Sequence, residues 1–388
     1  MSRKDVRKVQ ILSRVKDQLI TIGRAAELLG LSSRQVKRLW KRYREGGEAA
    51  MIHRGRGVRS NNHIDPELKR QILDRYREVY DGFGPTLAVE KLVEEDGFRP
   101  ISRETLRLWL LKEGLWHRHR RRSPYRKRRE PRHHFGELVQ MDGSFHAWFG
   151  EEHNSGCLMN LVDDATGTTL AIMSEQETTE AAMRILWAWI DRYGIPLALY
   201  CDLKSVYLTD REPTLEEQLA GRLPKTAFGL ACEKLGIEII SAYSPQAKGR
   251  VERKHGVYQD RFVKELRLRG AKTVAEANMI LGGFIEKLNT KFAHAPLEGQ
   301  DLHVRLTNRQ DLRDVFCLEQ PRSVGHDWVV RNDNHFYQLI RGHVPLPRAT
   351  TKVTVRTWLD GSVHILHRGR RIEYREFDPQ VRVGRKVI

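Results

Sequence analysis

The apolar pattern of this 388-residue chain, helical in its front part, changes near Glu137, and that change constrains the architecture more than any single residue. Before it, apolar residues recur at helical spacing: Ile22, Ala25, Ala26 and Leu29, then Val36, Leu39, Trp40 and Tyr43, then Leu68, Ile72, Leu73, Tyr76 and Val79. After it come the runs "ELVQMDGSFHAWF", "GCLMNLVDDATGTTLAIMS" and "PLALYCDL", which read as strands. At about 100–200 residues per domain the chain has room for two to four domains. The change of period divides it into a helical front and a sheet-containing remainder.

Charge follows the same division. The net charge is +18. Residues 1–134 hold 34 Lys and Arg against 17 Asp and Glu, and residues 322–388 hold 13 against 6, which leaves 135–321 at −6. Two basic ends around an acidic middle favour a polyanion, because Lys and Arg release counterions from phosphates. There is no apolar run of about 18 residues, so no membrane span and no membrane partner is expected. Met1 to Gln10 is charged and lacks the apolar stretch of a secretory signal. Cys157, Cys201, Cys232 and Cys317 are widely spaced without a CxxC, which argues against a disulfide framework and a structural zinc. A cytoplasmic, nucleoid-associated location is expected.

Residues 18–46 predict a helix-turn-helix. Gly30 stops the first helix, and Ser32 or Ser33 caps the second. Arg34, Gln35, Lys37, Arg38 and Arg42 lie off the apolar face of that second helix, where a recognition helix meets the major groove. Residues 1–63 form this domain with a Gly- and Arg-rich linker. A second helix-turn-helix or winged-helix-like unit is expected over 64–116, with Asp65-Pro66 opening its first helix and Ser102 capping its third. Arg103 and Arg107 point outward there; DNA contact and plain packing are both open for this unit. Residues 117–134 hold nine Lys and Arg against one Glu, a basic linker in which Arg121, Arg122 and Arg126 are candidate phosphate contacts.

From residue 135 to 272 the expected order is three strands, a helix, a strand, a helix, a strand and a long helix, the order of a ribonuclease-H-like α/β domain. Asp164-Ala165-Thr166-Gly167 supplies a hairpin turn, and the adjacent Asp163 and Asp164 read as structural. Residues 273–321 read as a helical connector. Residues 322–388 read as short strands with tight turns, a small basic β-barrel of SH3-like type. Three carboxylates stand at telling positions: Asp142 at the end of the first strand, Asp202 at the end of the fourth, and Glu252 near the start of the long helix. Strand ends and a facing helix can bring them to one sheet edge. Such a cluster repels itself unless cations neutralise it, and two Mg²⁺ ions, with Mn²⁺ as substitute, could also bind phosphate oxygens about a scissile bond.

Taken with "SPQAKGRVE", this set resembles the DDE transposase and retroviral integrase superfamily. Ser244-Pro245-Gln246, Gly249 and Glu252 match its glutamate motif; Asp142 with Gly143 matches its first aspartate; Asp202, followed by Ser205 and Tyr207, matches its second. Among bacterial mobile elements the chain is most similar to the ISNCY-type insertion-sequence transposases. The resemblance implies a multidomain enzyme that binds the ends of an insertion sequence and joins them to target DNA. Asp142, Asp202 and Glu252 would be its catalytic and metal-binding residues, double-stranded DNA its partner, and a homodimer or larger assembly its form on DNA. Asp202 and Glu252 are 50 residues apart, longer than is usual in that superfamily, and residues 208–228 account for the excess as an insertion. Its Asp210, Glu212, Glu216 and Glu217 are read as decoys. Lys248, Arg250, Arg253 and Lys254 could grip substrate phosphates or form a solvated basic face. His255 could touch the scissile phosphate or simply pack. A DNA-binding regulator and a host nuclease of the same fold are the alternatives.

Overall fold

The computed structural model describes residues 1–52, 63–118, 129–150, 156–219, 221, 223–241, 249–306, 311–343 and 345–377. They fall into two compact units, Met1–His117 and Arg118–Ile388.

The first unit is helical. The helix-turn-helix comprises α2 (Ile22–Leu29) and α3 (Ser33–Gly46), preceded by α1 (Arg3–Lys16). Gly30 ends α2 in the left-handed conformation at φ 64°, where an L side chain would be strained. Ser32 opens α3 with a reciprocal capping box to Gln35. α1 lies ahead of the 18–46 stretch in which the helical period is legible, and its charged sequence hides its apolar stripe. Its local signal is Ser2-Arg3-Lys4-Asp5, which closes a capping box at the start of the helix. Leu12, Ala25 and Val36 are fully buried where the three helices meet. The second helical set is α4 (Pro66–Val79), α5 (Pro85–Glu94) and α6 (Arg103–Lys112), capped by Asp65 and Ser102 as expected. Its buried residues include Ile72, Tyr76, Phe83, Ala88, Leu106 and Leu110. The Tyr76 hydroxyl donates to the Phe83 carbonyl at 2.7 Å, which satisfies the one polar group that this ring carries inward.

The second unit is built on a five-stranded sheet. Its elements are β1 (Val139–His146), β2 (Gly156–Asp163), β3 (Thr169–Ser174), α7 (Thr179–Tyr193), β4 (Ala198–Cys201), α8 (Leu215–Leu219), α9 (Ala227–Leu235), β5 (Glu238–Ser241), α10 (Gly249–Arg269) and α11 (Val274–Phe292). The spatial order is β3-β2-β1-β4-β5. β1, β2 and β3 are antiparallel, whereas β4 joins β1, and β5 joins β4, in parallel. This is the element order of a ribonuclease-H-like domain, with α8 added inside the 208–228 insertion. All eight residues of β2 are buried, because helices cover both faces of the sheet. Cys157, Met159 and Leu161 pack with α7 and α9, while Leu158 packs with α10 and α11.

Two boundaries differ from expectation. α11, inside the stretch 273–321 expected as a connector, is a layer of the core. Ala277, Leu281, Ile285 and Leu288 of α11 pack with Tyr258 and Phe262 of α10. Two of its side chains also pair with the outer backbone of β3. Asn278 accepts from Met173 N and donates to Met173 O, both at 2.8 Å, and Asn289 does the same for Thr169 at 2.8 Å. An edge strand otherwise left with open N–H and C=O groups is thereby closed. The C-terminal β-structure also starts before residue 322. After α12 (Leu312–Val315) come β6 (Cys317–Ser323), β7 (Val329–Asn332), β8 (His335–Leu339), β9 (Lys352–Trp358), β10 (Val363–His367), β11 (Arg370–Ile372) and β12 (Tyr374–Phe377). β6 escapes the strand reading because it contains Pro321; it is an edge strand beside β9, where proline is tolerated. Where one small barrel was expected, the strands form two sheets, β11-β10-β9-β6 and β12-β8-β7, around a shared core of Val330, Tyr337, Val353, Val355 and Ile365. No helix among the described residues is long and apolar enough to cross a membrane.

Replacing Leu12 by alanine removes a fully buried side chain at the meeting point of α1, α2 and α3. The expected loss is about 2–5 kcal/mol for this helical set. Calorimetry of the full chain should show its transition lowered while that of the sheet-containing unit stays in place.

Candidate active site

β1 and β4 are paired at only two positions, Val139 with Leu199 and Gln140 with Tyr200. Asp142 lies two residues beyond the last pair in β1, and Asp202 lies two beyond it in the β4 direction. The junction between the two parallel strands therefore stops just short of both carboxylates. Asp142 was expected at the end of the first strand, but β1 continues past it to His146, paired with β2, and Asp142 faces Asn160 there. What ends before Asp142 is the β1–β4 ladder. The crevice at the carboxyl ends of strands, where the chain order reverses, is the usual site position in such sheets.

A third carboxylate completes the group, and it is one that the sequence pattern does not reveal. Asp142, Glu177 and Asp202 each offer an oxygen within 4.8 Å of the others. Glu177 comes from the connection between β3 and α7, directly before the α7 cap Thr178. Its side chain is 4% exposed. It reaches the site because Gly143 has no side chain: a Cβ there would stand 2.6 Å from Glu177 Oε2 and 3.0 Å from Cys157 Sγ. The small residue beside the first aspartate was the available signal, but only the fold shows what the space is for. Glu177 Oε1 accepts from the buried Tyr207 hydroxyl at 2.9 Å, and Oε2 accepts from Lys204 Nζ at 2.6 Å. Lys204 Nζ is also 3.3 Å from Asp202 Oδ2, and its backbone N–H donates to Asp202 Oδ1 at 3.2 Å. Burial alone would lower the Lys204 pKa. The bond to Glu177 and the charges of Glu177, Asp202 and Asp142 outweigh it, so the ammonium is held above its ordinary range.

The structure brings Asp142 and Asp202 together and leaves Glu252 outside the group. The buried stripe of α10 is Val251, His255, Tyr258 and Phe262. Glu252 is one position off that stripe, about 100° around the helix, and is exposed. His255, one turn further on, is buried with Nδ1 4.0 Å from Asp142 Oδ2.

The start of α10 is tied to β1 through Asp164. The buried Asp164 carboxylate accepts from Arg132 N at 2.8 Å, Gln140 Nε2 at 2.7 Å and Arg250 Nη1 at 3.0 Å, and it also pairs with Arg129. Gln140 Oε1 in turn accepts from Val251 N at 3.2 Å, one of the first-turn N–H groups that has no partner within the helix. Arg250 is thus engaged inside the protein, where the sequence suggested a phosphate contact. Asp163 accepts from Gly136 N at 3.0 Å and from Thr166 N at 2.7 Å, so both aspartates are structural, as read. Arg253 is exposed. Lys254 is half-buried, and burial lowers its pKa to about 8.

Of the front-end candidates, Arg34, Lys37, Arg38 and Arg103 are exposed. Gln35 is used in the α3 capping box, Arg42 donates to the Ala50 carbonyl at 2.5 Å, and Arg107 makes a two-bond pair with Glu104 at 2.7 and 2.6 Å. Arg121, Arg122, Arg126 and Lys248 lie outside the described residues. In the insertion, Glu217 accepts from Thr214 N at 2.7 Å and pairs with Arg211 at 2.7 Å, local bonds that shape the turn into α8.

Alanine at position 143 should displace Glu177 and cost about 1–3 kcal/mol by overpacking. Alanine at Gly256, a helical position with nothing within 4 Å of the new Cβ, should instead gain up to about 1 kcal/mol. Denaturant melts of the two variants would show the opposite signs.

Residues 7–59 match the helix-turn-helix domain family. Over its full length the chain is 37% identical to the "Putative transposase y4bF" of Sinorhizobium fredii, of which it covers 84%. It is 31% identical over 328 residues to the transposase for insertion sequence IS1202 of Streptococcus pneumoniae, covering 75% of this chain and 69% of that one. Among solved structures, the magnesium complex of the HTLV-2 integrase catalytic core is similar over 40% of this chain and 86% of its own, with 18% identity and a TM-score of 0.30. With one relative 37% identical over the whole chain, a second 31% identical over 75% of it, and a helix-turn-helix front, the chain belongs to the insertion-sequence transposases.

Proposed function

We propose that this transposase binds the ends of its insertion sequence through the helical front, and that Asp142, Asp202 and Glu252 form the site that cuts and joins DNA. The observation that carries the reading is the meeting of Asp142 and Asp202 where the β1–β4 ladder stops. The Asp142 and Asp202 carboxylates, with oxygens within 4.8 Å of each other, are hard donors of the kind that Mg²⁺ or Mn²⁺ prefers. Two such ions, held by Asp142 and Asp202 with Glu252 joining from α10, would supply charge neutralisation and Lewis acidity at the scissile phosphate.

The chain's own residues divide the remaining work. Asp142 and Asp202 present their carboxylates where the β1–β4 ladder has stopped, each with part of its side chain exposed. The Asp164 and Gln140 contacts tie the first turn of α10, which carries Glu252 and Arg253, to the sheet beside β1. In the first reaction water attacks a phosphodiester, and the bond to the departing 3′ oxygen breaks to leave a free 3′-OH. In the second, that 3′-OH attacks a target phosphodiester, forms a new P–O bond and releases a target 3′-OH. Both element ends must be held for joining, which calls for at least a dimer on DNA. A regulator of the same fold would need no convergent carboxylates, and a nuclease of low specificity would need no helix-turn-helix front.

Asp142→Ala, Asp202→Ala and Glu252→Ala should each abolish cleavage of labelled end DNA and strand joining, with gel-shift binding of the ends retained. Normal Mg²⁺-dependent cutting by any of the three removes that residue from the site. Arg38→Ala should weaken binding of end DNA by about 1–3 kcal/mol and affect a scrambled duplex less, as for a base-reading contact. Fluorescence anisotropy on both duplexes measures this, and an equal loss on the two would make it a phosphate contact.

A further inference from the structure

We propose that Glu177 is a positioning residue that holds the Lys204 ammonium beside Asp202 as a resident counter-charge, and so sets how tightly the Asp142–Asp202 pair takes a divalent cation. The inference rests on the site assignment above and adds two residues to it.

The Glu177 side chain is almost fully buried, and both of its oxygens are already used by the protein: Oε1 by the Tyr207 hydroxyl and Oε2 by Lys204 Nζ. The notch at Gly143 fits the carboxylate and leaves no space for a Cβ. Lys204 is aimed in turn. Its backbone N–H bonds Asp202, its ammonium lies 2.6 Å from Glu177 and 3.3 Å from Asp202, and 44% of its side chain remains exposed. A lysine so placed neutralises part of the like-charge repulsion while no cation is bound. It also remains free to swing toward solvent when one arrives. Glu177 controls that balance by keeping the ammonium on its own side of Asp202. A structural ion pair would do none of this, and a Glu177 that served as a direct metal ligand would do something different.

Charge counting separates the three roles. The four side chains Asp142, Glu177, Asp202 and Lys204 sum to −2. Glu177→Gln makes the sum −1 and releases Lys204 onto the aspartates. Lys204→Met makes it −3. The double variant returns it to −2. At these separations a unit charge changes the affinity for a dication by about tenfold or more.

The experiment measures Mn²⁺ binding to the full-length protein without DNA, from the free-Mn²⁺ signal in electron paramagnetic resonance, with a thermal melt of each variant. Glu177→Gln should bind at least about tenfold more weakly, Lys204→Met more tightly, and the double variant close to the starting protein. A double variant as weak as Glu177→Gln alone overturns the proposal in favour of direct ligation or a structural role. Unchanged or weaker binding by Lys204→Met overturns it as well. If Glu177→Gln fails to fold, Lys204→Met alone decides, because it leaves Glu177, Tyr207 and Gly143 in place. Asp142→Ala and Asp202→Ala are the separate control: Mn²⁺ binding that survives in both refutes the site assignment itself, whatever the Glu177 variants do.

Discussion

The short parallel ladder between β1 and β4 is the constraint on which the rest of the site depends. Two paired positions place the strands side by side, and the ladder stops one side-chain repeat before Asp142 and Asp202. A longer ladder would bring backbone and side chains into the junction and close it. A shorter one would leave the two aspartates without a common frame. β1 can tolerate losing a partner on that side because it stays paired with β2 over its whole length, through to His146 and Gly156. β2 in turn is buried on both faces, so the strand that carries Asp142 is braced by the best-packed element of the sheet.

Gathering negative charge at one point is costly, and the surroundings offset that cost in two different ways. Near the crevice, Lys204 stands between Glu177 and Asp202, and Gly143 gives the third carboxylate room. Deeper in, Asp164 is fully neutralised by Arg129 and Arg250 and by neutral donors from Gln140 and Arg132. The two arrangements differ in exposure. Asp164 has no exposed side-chain surface, and its ion pairs hold the fold. The Lys204 pairs are partly open to solvent, where charges can be exchanged. The acidic middle of the chain is therefore not a uniform surface property.

The basic front shows a similar division of labour. Arg34, Lys37, Arg38 and Arg103 are exposed, whereas Gln35 and Arg42 stabilise α3 and its exit, and Arg107 is paired within its own helix. A high count of arginines on a helix thus overstates the number available to a phosphate.

Short-range chemistry is legible along the chain. The turn at Gly30, the caps at Ser32, Asp65 and Ser102, and the hairpin after Asp163 depend on residues within a few positions of one another, and all were legible. The alternation of the strands and the order Asp142, Asp202, Glu252 were legible for the same reason. α1 and β6 were missed because charge and Pro321 obscure their patterns. The helix α11 was seen, but its role was not, since closing the edge of β3 takes two asparagines more than 100 residues away from that strand. Which carboxylates meet depends on long-range packing. Glu177 is 35 residues from Asp142 and belongs to no motif, yet the connection into α7 and the absence of a side chain at Gly143 carry it to the crevice. Glu252 belongs to the motif, yet the buried stripe of α10 turns it outward. Spacing along a chain specifies the periodic face a residue takes. Which distant face it meets is set by packing, and packing is a property of the whole sheet.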